Sequence, residues 1–359
     1  MPRLNGLRIL VAGAGAVGST VALRLQQAGG RVVLADPAAR ADNASGVAAG
    51  MLAPAFEAVL DPVSGGHFDI LREARDRWAA VPPELAAASG LDRSGALFVG
   101  DRPAQESMTA RLQACGACAR RLTREEAQTA SPGLDAPAGA VFTPEDWRLD
   151  ARAALGALQD AFRSAGGEFR GEALREVCGG AAVLAGGGRL AAEVVVLATG
   201  LAPRGLEDFA PETAVLSPIK GQIVRVPGAG PAAGPVVRAE GVYVAPSAGG
   251  PAVGATMEPG RGDRTVEPEA VERLLGRARR LFPGLERAPA AGAAGVRAAT
   301  PDGLPLVGPS RSPGVILALG ARRNGWLLAL DMAEAVLAEL SGGRAAAVYD
   351  PARFGADGR

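Results

Sequence analysis

Histidine is almost missing from this chain of 359 residues: His67 is the only one. It precedes a helical segment in a Gly-rich stretch, so histidine-cluster metal sites and a Ser-His-Asp triad are excluded, and no paired-carboxylate motif stands out. Cysteine is scarce too. Cys115, Cys118 and Cys178 cannot form a disulfide framework. The Cys115/Cys118 pair lacks both the strand-helix-strand setting of a redox motif and a second pair for zinc, so ordinary packing or surface thiols are expected. Net charge is absent, with 38 basic and 38 acidic side chains, which gives no case for nucleic acid or an anionic membrane as partner. Met1 to Gly6 carries no apolar leader core, and no apolar run has a spanning pattern. A soluble cytoplasmic protein without stable membrane insertion is expected, with homo-oligomerisation left open.

Glycine, by contrast, is abundant at 50 residues, and the chain is organised around one Gly-rich stretch, Leu7 to Asp36. An apolar run, Ile9 to Ala12, leads into Gly13-Ala14-Gly15-Ala16-Val17-Gly18, then a helix-compatible segment to about Ala28. A second apolar run, Val32 to Ala35, ends at Asp36. This is the strand-turn-helix-strand order of a dinucleotide site. Gly13 allows the tight turn, Gly15 lets backbone approach a pyrophosphate, and Gly18 lets the helix pack on the strand. Free N–H groups at the helix start can hold the diphosphate. Asp36 lies 18 residues beyond Gly18, where a carboxylate accepts both ribose hydroxyls and disfavours a 2′-phosphate.

Beyond Asp36 the alternation of strands and helices breaks. Asp42 to Pro54 is small and flexible and can pass close to a flat ligand. Helices are expected over Phe68–Ala80, Thr109–Ala119, Thr123–Thr129 (with a Thr123/Glu126 capping box) and Trp147–Ala165, with a strand at Leu97–Val99. A strand at Glu168–Arg170 and a hairpin at Ala181–Ala192 precede the buried strand Glu193–Gly200, which resumes the nucleotide domain. From Ile219, strand-like runs split by Pro and Gly outline an antiparallel sheet. A helix over Glu269–Leu281 carries Arg273, Arg277, Arg279 and Arg280 on a solvated face. Val315–Gly320 is a strand, and Asn324–Leu340 the last helix.

Together these motifs resemble the FAD-dependent amine and amino-acid oxidases, the D-amino-acid oxidase and glycine oxidase family, and most of all its bacterial glycine oxidases of thiamine biosynthesis. The resemblance is carried by GAGAVG with Asp36, ASGVAAGMLAP (Ala44–Pro54), VVLATG (Val195–Gly200), SPIKGQ (Ser217–Gln222), VYVAP (Val242–Pro246), GATME (Gly254–Glu258), GVRAATPDGLPLVG (Gly295–Gly308) and RNGWLLA (Arg323–Ala329). It implies an α/β (mixed α+β) protein with a glutathione-reductase-like Rossmann FAD-binding domain and a second, antiparallel or mixed-sheet substrate domain. The boundaries expected are 1–60, 141–210 and 291–359 for the FAD domain, and 61–140 and 211–290 for the substrate domain.

The resemblance further implies non-covalent FAD held by residues 13–18 (Gly13, Ala14, Gly15, Ala16, Val17, Gly18) and Asp36. Ser45, Ala48, Ala49, Gly50 and Met51 would follow, then Thr199 and Gly200, and then Arg297, Arg323, Asn324, Gly325 and Trp326. It places the carboxylate-binding arginine at Arg297, a substrate-facing tyrosine at Tyr243, a second arginine near the flavin at Arg323, and pocket methionines at Met51 and Met257. A histidine frequent in the family is replaced by Ala321, and a frequent basic residue by Ser247. The implied activity is FAD-dependent oxidative deamination of glycine or a small amino acid, with hydride transfer to flavin N5 and reduction of oxygen to hydrogen peroxide. The alternative is a D-amino-acid or secondary-amine dehydrogenase with a quinone-type acceptor. An arginine suits an α-carboxylate because its planar fork makes a bidentate, charge-assisted pair. A site poor in acid/base residues suits a flavoenzyme, where the cofactor carries the difficult chemistry.

Overall fold

The computed structural model describes residues 4–40, 42–201 and 205–355. The expected FAD-domain segments also include 1–3, 41, 202–204 and 356–359, which lie outside the described residues. The chain divides into two compact units. One comprises Met1–Gly46, Arg152–Ile219 and Val296–Arg359, and the other Val47–Ala151 and Lys220–Gly295.

The first unit is built on a six-stranded sheet. Its order is Leu306–Pro309, Val315–Leu319, Val194–Leu197, Arg8–Ala12, Arg31–Ala35, Glu168–Arg170. All neighbours are parallel except the first pair. Strands buried on both faces need continuous apolar runs, and Val315–Leu319 is buried throughout. The helices Ala16–Gln27 and Gly325–Leu340 pack on this sheet and against each other. Arg8–Ala12 lies at the sheet's centre, so the Gly-rich turn opens at the carboxyl ends of the parallel strands, where such folds bind ligands. A three-stranded antiparallel sheet, 174–178, 181–184 and 189–191, completes the unit and contains the expected hairpin.

The second unit carries most of a nine-stranded mixed sheet. Its central strands, Ala252–Gly254, Val242–Ala245, Val236–Ala239, Ala96–Phe98 and Ala140–Thr143, are hydrogen-bonded in that order. One face buries Val237, Val244, Leu274 and Leu281. The other buries Phe56, Phe68, Phe98 and Leu112. The strand Ala291–Ala299 begins in this unit and ends in the other.

Several elements differ from the sequence expectation. The segment 47–60 joins the second unit because Val47, Ala55, Phe56 and Val59 belong to its buried cluster. Residues 141–151 do so because Trp147–Arg148 pairs with Met51–Leu52. That pairing also shortens the expected 147–165 helix to Ala151–Ser164. Residues 211–219 fall in the first unit, where the turn Pro211–Val215 packs on Pro351–Phe354, and residues 291–295 in the second. The helix expected at 109–119 runs instead over Arg102–Ala114. Its Asp101 side chain accepts the Ala104 N–H, and Gly116 at φ 88° lies just beyond its end. The capping box at Thr123 and Glu126 opens the helix Arg124–Ala130. The flexible stretch 42–54 holds a short helix, Ala44–Val47, and the strand Met51–Leu52.

Candidate active site

In the first unit the turn between Arg8–Ala12 and Ala16–Gln27 is dictated by contact with backbone. A Cβ on Gly13, at φ 101°, would overlap the Ala198 carbonyl, and one on Gly18 would overlap the Gly13 carbonyl oxygen. Because Gly15 is the N-cap, the helix Ala16–Gln27 has no side-chain cap, and its dipole end faces the turn. Asp36, half-buried at the end of its strand, accepts the Ala14 N–H at 2.6 Å and the Ala38 N–H at 2.8 Å. Ser45 Oγ accepts the Ala16 N–H at 2.9 Å, and the Ser45 carbonyl accepts the Trp326 indole N–H at 3.1 Å. The residues Gly13 to Gly18, Asp36, Ser45 and Trp326 are thereby brought together. Asn324 and Gly325 open the helix that carries Trp326.

Thr199 sits beside Gly13, and its Oγ1 is buried without a hydrogen-bond partner. An orphaned buried hydroxyl is a net cost, which a polar group held in the turn would relieve. With a helix start whose N-cap glycine brings no side chain of its own, and with the Asp36 carboxylate and Ser45 hydroxyl beside it, this donor and acceptor set fits the phosphates and ribose of FAD.

The arginine segments meet in the same unit. Arg297 is half-buried on Ala291–Ala299, Arg322 N–H donates to the Ala298 carbonyl at 2.9 Å, and Ala299 bridges Ala321. Thus Arg297 and Arg323 reach the same edge from segments 26 residues apart. Ala321, standing where the family often has histidine, serves in this bridge. The next turn is held by Arg353, which binds Asp302 at 2.8 and 3.1 Å and the Leu304 carbonyl at 2.8 Å.

Ala48, Ala49, Gly50 and Met51 fall in the second unit, as do Tyr243 and Met257. Arg225 donates to the carbonyls of Val47 and Ala48 at 3.1 and 2.7 Å, fixing the start of that segment. Tyr243 is half-buried and pairs with Gly254, where a Cβ would overlap the tyrosine hydroxyl. Met257 is half-buried three residues beyond Gly254. Ser247 donates to Asp150 Oδ2 at 2.8 Å. Lys220 is wholly buried and bonded to Asp263 at 2.8 Å, with Glu258 and Glu267 at 4.0 and 3.8 Å. Its hydrogen bond holds the Asp263 carboxyl well below the usual range. The charge is thus spent on an acid network rather than on a ligand.

The sequence reading missed three residues of this unit. Arg238 is buried against Met51, Phe56, Glu57 and Tyr243. Asp146 accepts the Ala55 and Phe56 N–H groups at 2.8 and 3.2 Å, and burial pushes its carboxyl up to about 7 against the pull of Arg238. Glu57 is the third. The one signal for it was an acid inside the otherwise apolar helix PAFEAVL.

The family model for the FAD-dependent oxidoreductases matches residues 8–340. This chain belongs to that family. The oxidoreductase is 31% identical over 339 residues to a glycine oxidase of Geobacillus kaustophilus, covering 89% of each chain. A glycine oxidase of Pseudomonas aeruginosa is 30% identical over 379 residues, covering 98% of this oxidoreductase and 99% of the relative. The crystal structure of the Geobacillus kaustophilus glycine oxidase superposes with a TM-score of 0.82 at 28% identity, covering 98% of this chain and 99% of the other. The expected fold class, a Rossmann-like FAD-binding region with a mixed-sheet substrate domain, is therefore correct, as is non-covalent FAD as the cofactor of this oxidoreductase. Among the described residues no helix is long and apolar enough to cross a membrane, and no group of three or more His, Cys, Asp or Glu could hold a metal.

Proposed function

We propose that this oxidoreductase deaminates glycine or another small amino acid oxidatively, with oxygen as the final electron acceptor. The observation that carries the reading is the junction of the Arg297 strand with the turn before Arg323, inside the FAD-binding unit. It sets the half-buried Arg297 on a strand whose backbone partner, Ala321–Arg322, leads directly into the helix whose Trp326 anchors the Ser45 backbone. The glycine oxidase relatives, similar over nearly the whole length, support the substrate class.

When bound, FAD supplies the two-electron acceptor for the substrate's α-hydrogen and its electron pair. The chain's own part is orientation. Arg297 takes the α-carboxylate in its planar fork. Tyr243 contributes a hydroxyl donor, and Met51 and Met257 contribute unbranched apolar surface that excludes water while adapting to small substrates. The neutral amine, having given up a hydride, leaves as a protonated imine, which water hydrolyses to the oxo acid and ammonium.

The test is anaerobic mixing of the yellow holoenzyme with glycine, sarcosine and a panel of D-amino acids. Bleaching by one of these is expected, and none at all would sink the reading. Arg297→Met should keep FAD and slow reduction by about 30-fold to several thousand-fold, since loss of a partly buried charge pair costs roughly 2–5 kcal/mol. Lysine should restore only part of the rate, because it lacks the fork. Equal losses with a carboxylated substrate and a decarboxylated amine would make Arg297 structural. Reoxidation faster with a quinone dye than with dissolved oxygen would replace the acceptor.

A further inference from the structure

Three arginines are buried in the second unit, and they are not used alike. Arg75 donates to Asp76 at 2.8 Å and to Glu145 Oε2 at 3.0 Å. Arg148 donates to Asp92 at 2.6 Å and to the Gly234 carbonyl at 3.2 Å. Both meet full oxygen acceptors and knit distant segments of backbone. Arg238 is just as buried, 5% exposed, yet its one hydrogen bond runs from Nη2 to the thioether of Met51 at 3.2 Å. The Glu57 carboxylate stands off at 3.7 Å, and Nε has no partner at all. The buried Asp146 carboxyl feels its charge without a hydrogen bond to it, and ring faces stand nearby, Phe56 at 5.3 Å and Tyr243 at 6.0 Å from the guanidinium carbon.

Two carboxylates at ion-pair range or beyond, a thioether and two rings give this guanidinium none of the direct oxygen hydrogen bonds that Arg75 and Arg148 make, so fold-knitting alone does not explain this cation. Its neighbours suggest another use. Met51 and Tyr243 are the side chains assigned to the substrate wall, and Arg238 lies in register with Tyr243 on the adjacent strand. A cation donating to sulfur restricts the rotamers of an otherwise loose methionine. A cation near the face of a phenol holds the ring and makes its hydroxyl a better donor. In a site with little water its positive potential is weakly screened.

From this we infer that Arg238 is a positioning and specificity-determining residue, which fixes Met51 and Tyr243 and biases their wall toward amines that carry a carboxylate, with Glu57 tempering the bias. The inference rests on the proposed function, in which Met51 and Tyr243 face the substrate. A positive wall favours an anionic ligand over its neutral isostere, and removal of the tempering carboxylate should strengthen that preference.

The probes are acetate and acetamide, which differ in charge but hardly in shape, titrated calorimetrically into the FAD-loaded enzyme, with steady-state oxidation of the best amino acid alongside. R238M should weaken acetate by about 10-fold or more, the scale of one weakly screened charge at this range, and acetamide by less than about 3-fold. KM should rise in step with acetate while kcat stays within about 3-fold. R238K, which keeps the charge, should recover much of the acetate affinity, and E57Q should tighten acetate above wild type. R238M leaves Glu57 uncompensated and risks misfolding, so R238M/E57Q, which removes both charges, serves as the second variant and should still lose the preference for acetate over acetamide. Equal weakening of both probes, or weaker acetate binding in E57Q, overturns the assignment. Wild-type enzyme that neither binds acetate nor oxidises any amino acid overturns the proposed function as well, which separates the two failures.

Discussion

The turn proposed to hold the cofactor in the first unit and the wall proposed to face the substrate in the second are built on opposite plans. Around Gly13, Gly15 and Gly18 the recognition surface is backbone, and the fit is set by the absence of side chains. Around Arg238, Met51 and Tyr243 it is made of side chains whose charges are incompletely matched. A backbone site has little freedom to drift, which suits a cofactor that does not change. A side-chain site can be retuned residue by residue, which suits a substrate pocket.

The largest effect should come from breaking the backbone site. In Gly18→Ala the new methyl meets the Gly13 carbonyl, which cannot swing away as a side chain would. The turn must open, at a cost of about 3 kcal/mol or more. Purified protein should be colourless, by its ratio of flavin to protein absorbance. A yellow variant with wild-type FAD affinity would show that the close packing is dispensable.

A smaller effect is expected from the corresponding change in the side-chain site. In Gly254→Ala the methyl meets the Tyr243 hydroxyl, and Ile223 lies 3.0 Å away, but a tyrosine can rotate. Stability should fall by only about 1–3 kcal/mol, with FAD retained. The displaced hydroxyl should lower kcat/KM by roughly 10- to 100-fold, as for loss of one positioned donor. Adding Tyr243→Phe should restore only part of the thermal stability, because the ring carbon Cζ stands 2.5 Å from the new methyl as well, and should not restore rate. Recovery of the rate would mean that the hydroxyl has no part in the reaction.

The smallest effect concerns Asp146. Its carboxyl is raised from an ordinary 3.8 to about 7, burial being the chief cause. Between those values the folded protein binds a proton that the unfolded chain has released, so stability falls as pH rises through this window and stays low above it. The full penalty is at most about 4 kcal/mol. Asp146→Asn removes the penalty but leaves one acceptor oxygen for the Ala55 and Phe56 N–H groups, a loss of about 1 kcal/mol. A net gain of roughly 1–3 kcal/mol is expected at pH 8, shrinking to nothing near pH 4 in thermal unfolding. A gain independent of pH would mean that Asp146 is not the titrating group.

The same contrast explains what could be read from the sequence. Gly13 to Gly18 and Asp36 form a local pattern, because a strand, a turn and a helix that follow one another must place their residues in a fixed order. Thr123 with Glu126 was legible for the same reason. The surroundings of Arg238 come from residues 51, 56, 57 and 243, and no local rule joins them. The error at 109–119 has a local cause, since Asp101 and the first-turn Pro103 mark the true helix start. The error at 147–151 is non-local, for the distant Met51–Leu52 strand and Asp92 hold Trp147–Arg148 extended.

The order of strands in the first sheet has a consequence for how the protein is made. Arg8–Ala12 needs Val194–Leu197 beside it, and that strand in turn needs Val315–Leu319. At about 5–20 residues per second, a ribosome takes on the order of 15–60 seconds to pass from the first of these strands to the last. Through that interval the nascent chain displays an unfinished, strongly apolar edge. Its yield in a cell should therefore depend on translation speed and on chaperones that shield nascent chains, more than on the stability of the finished fold.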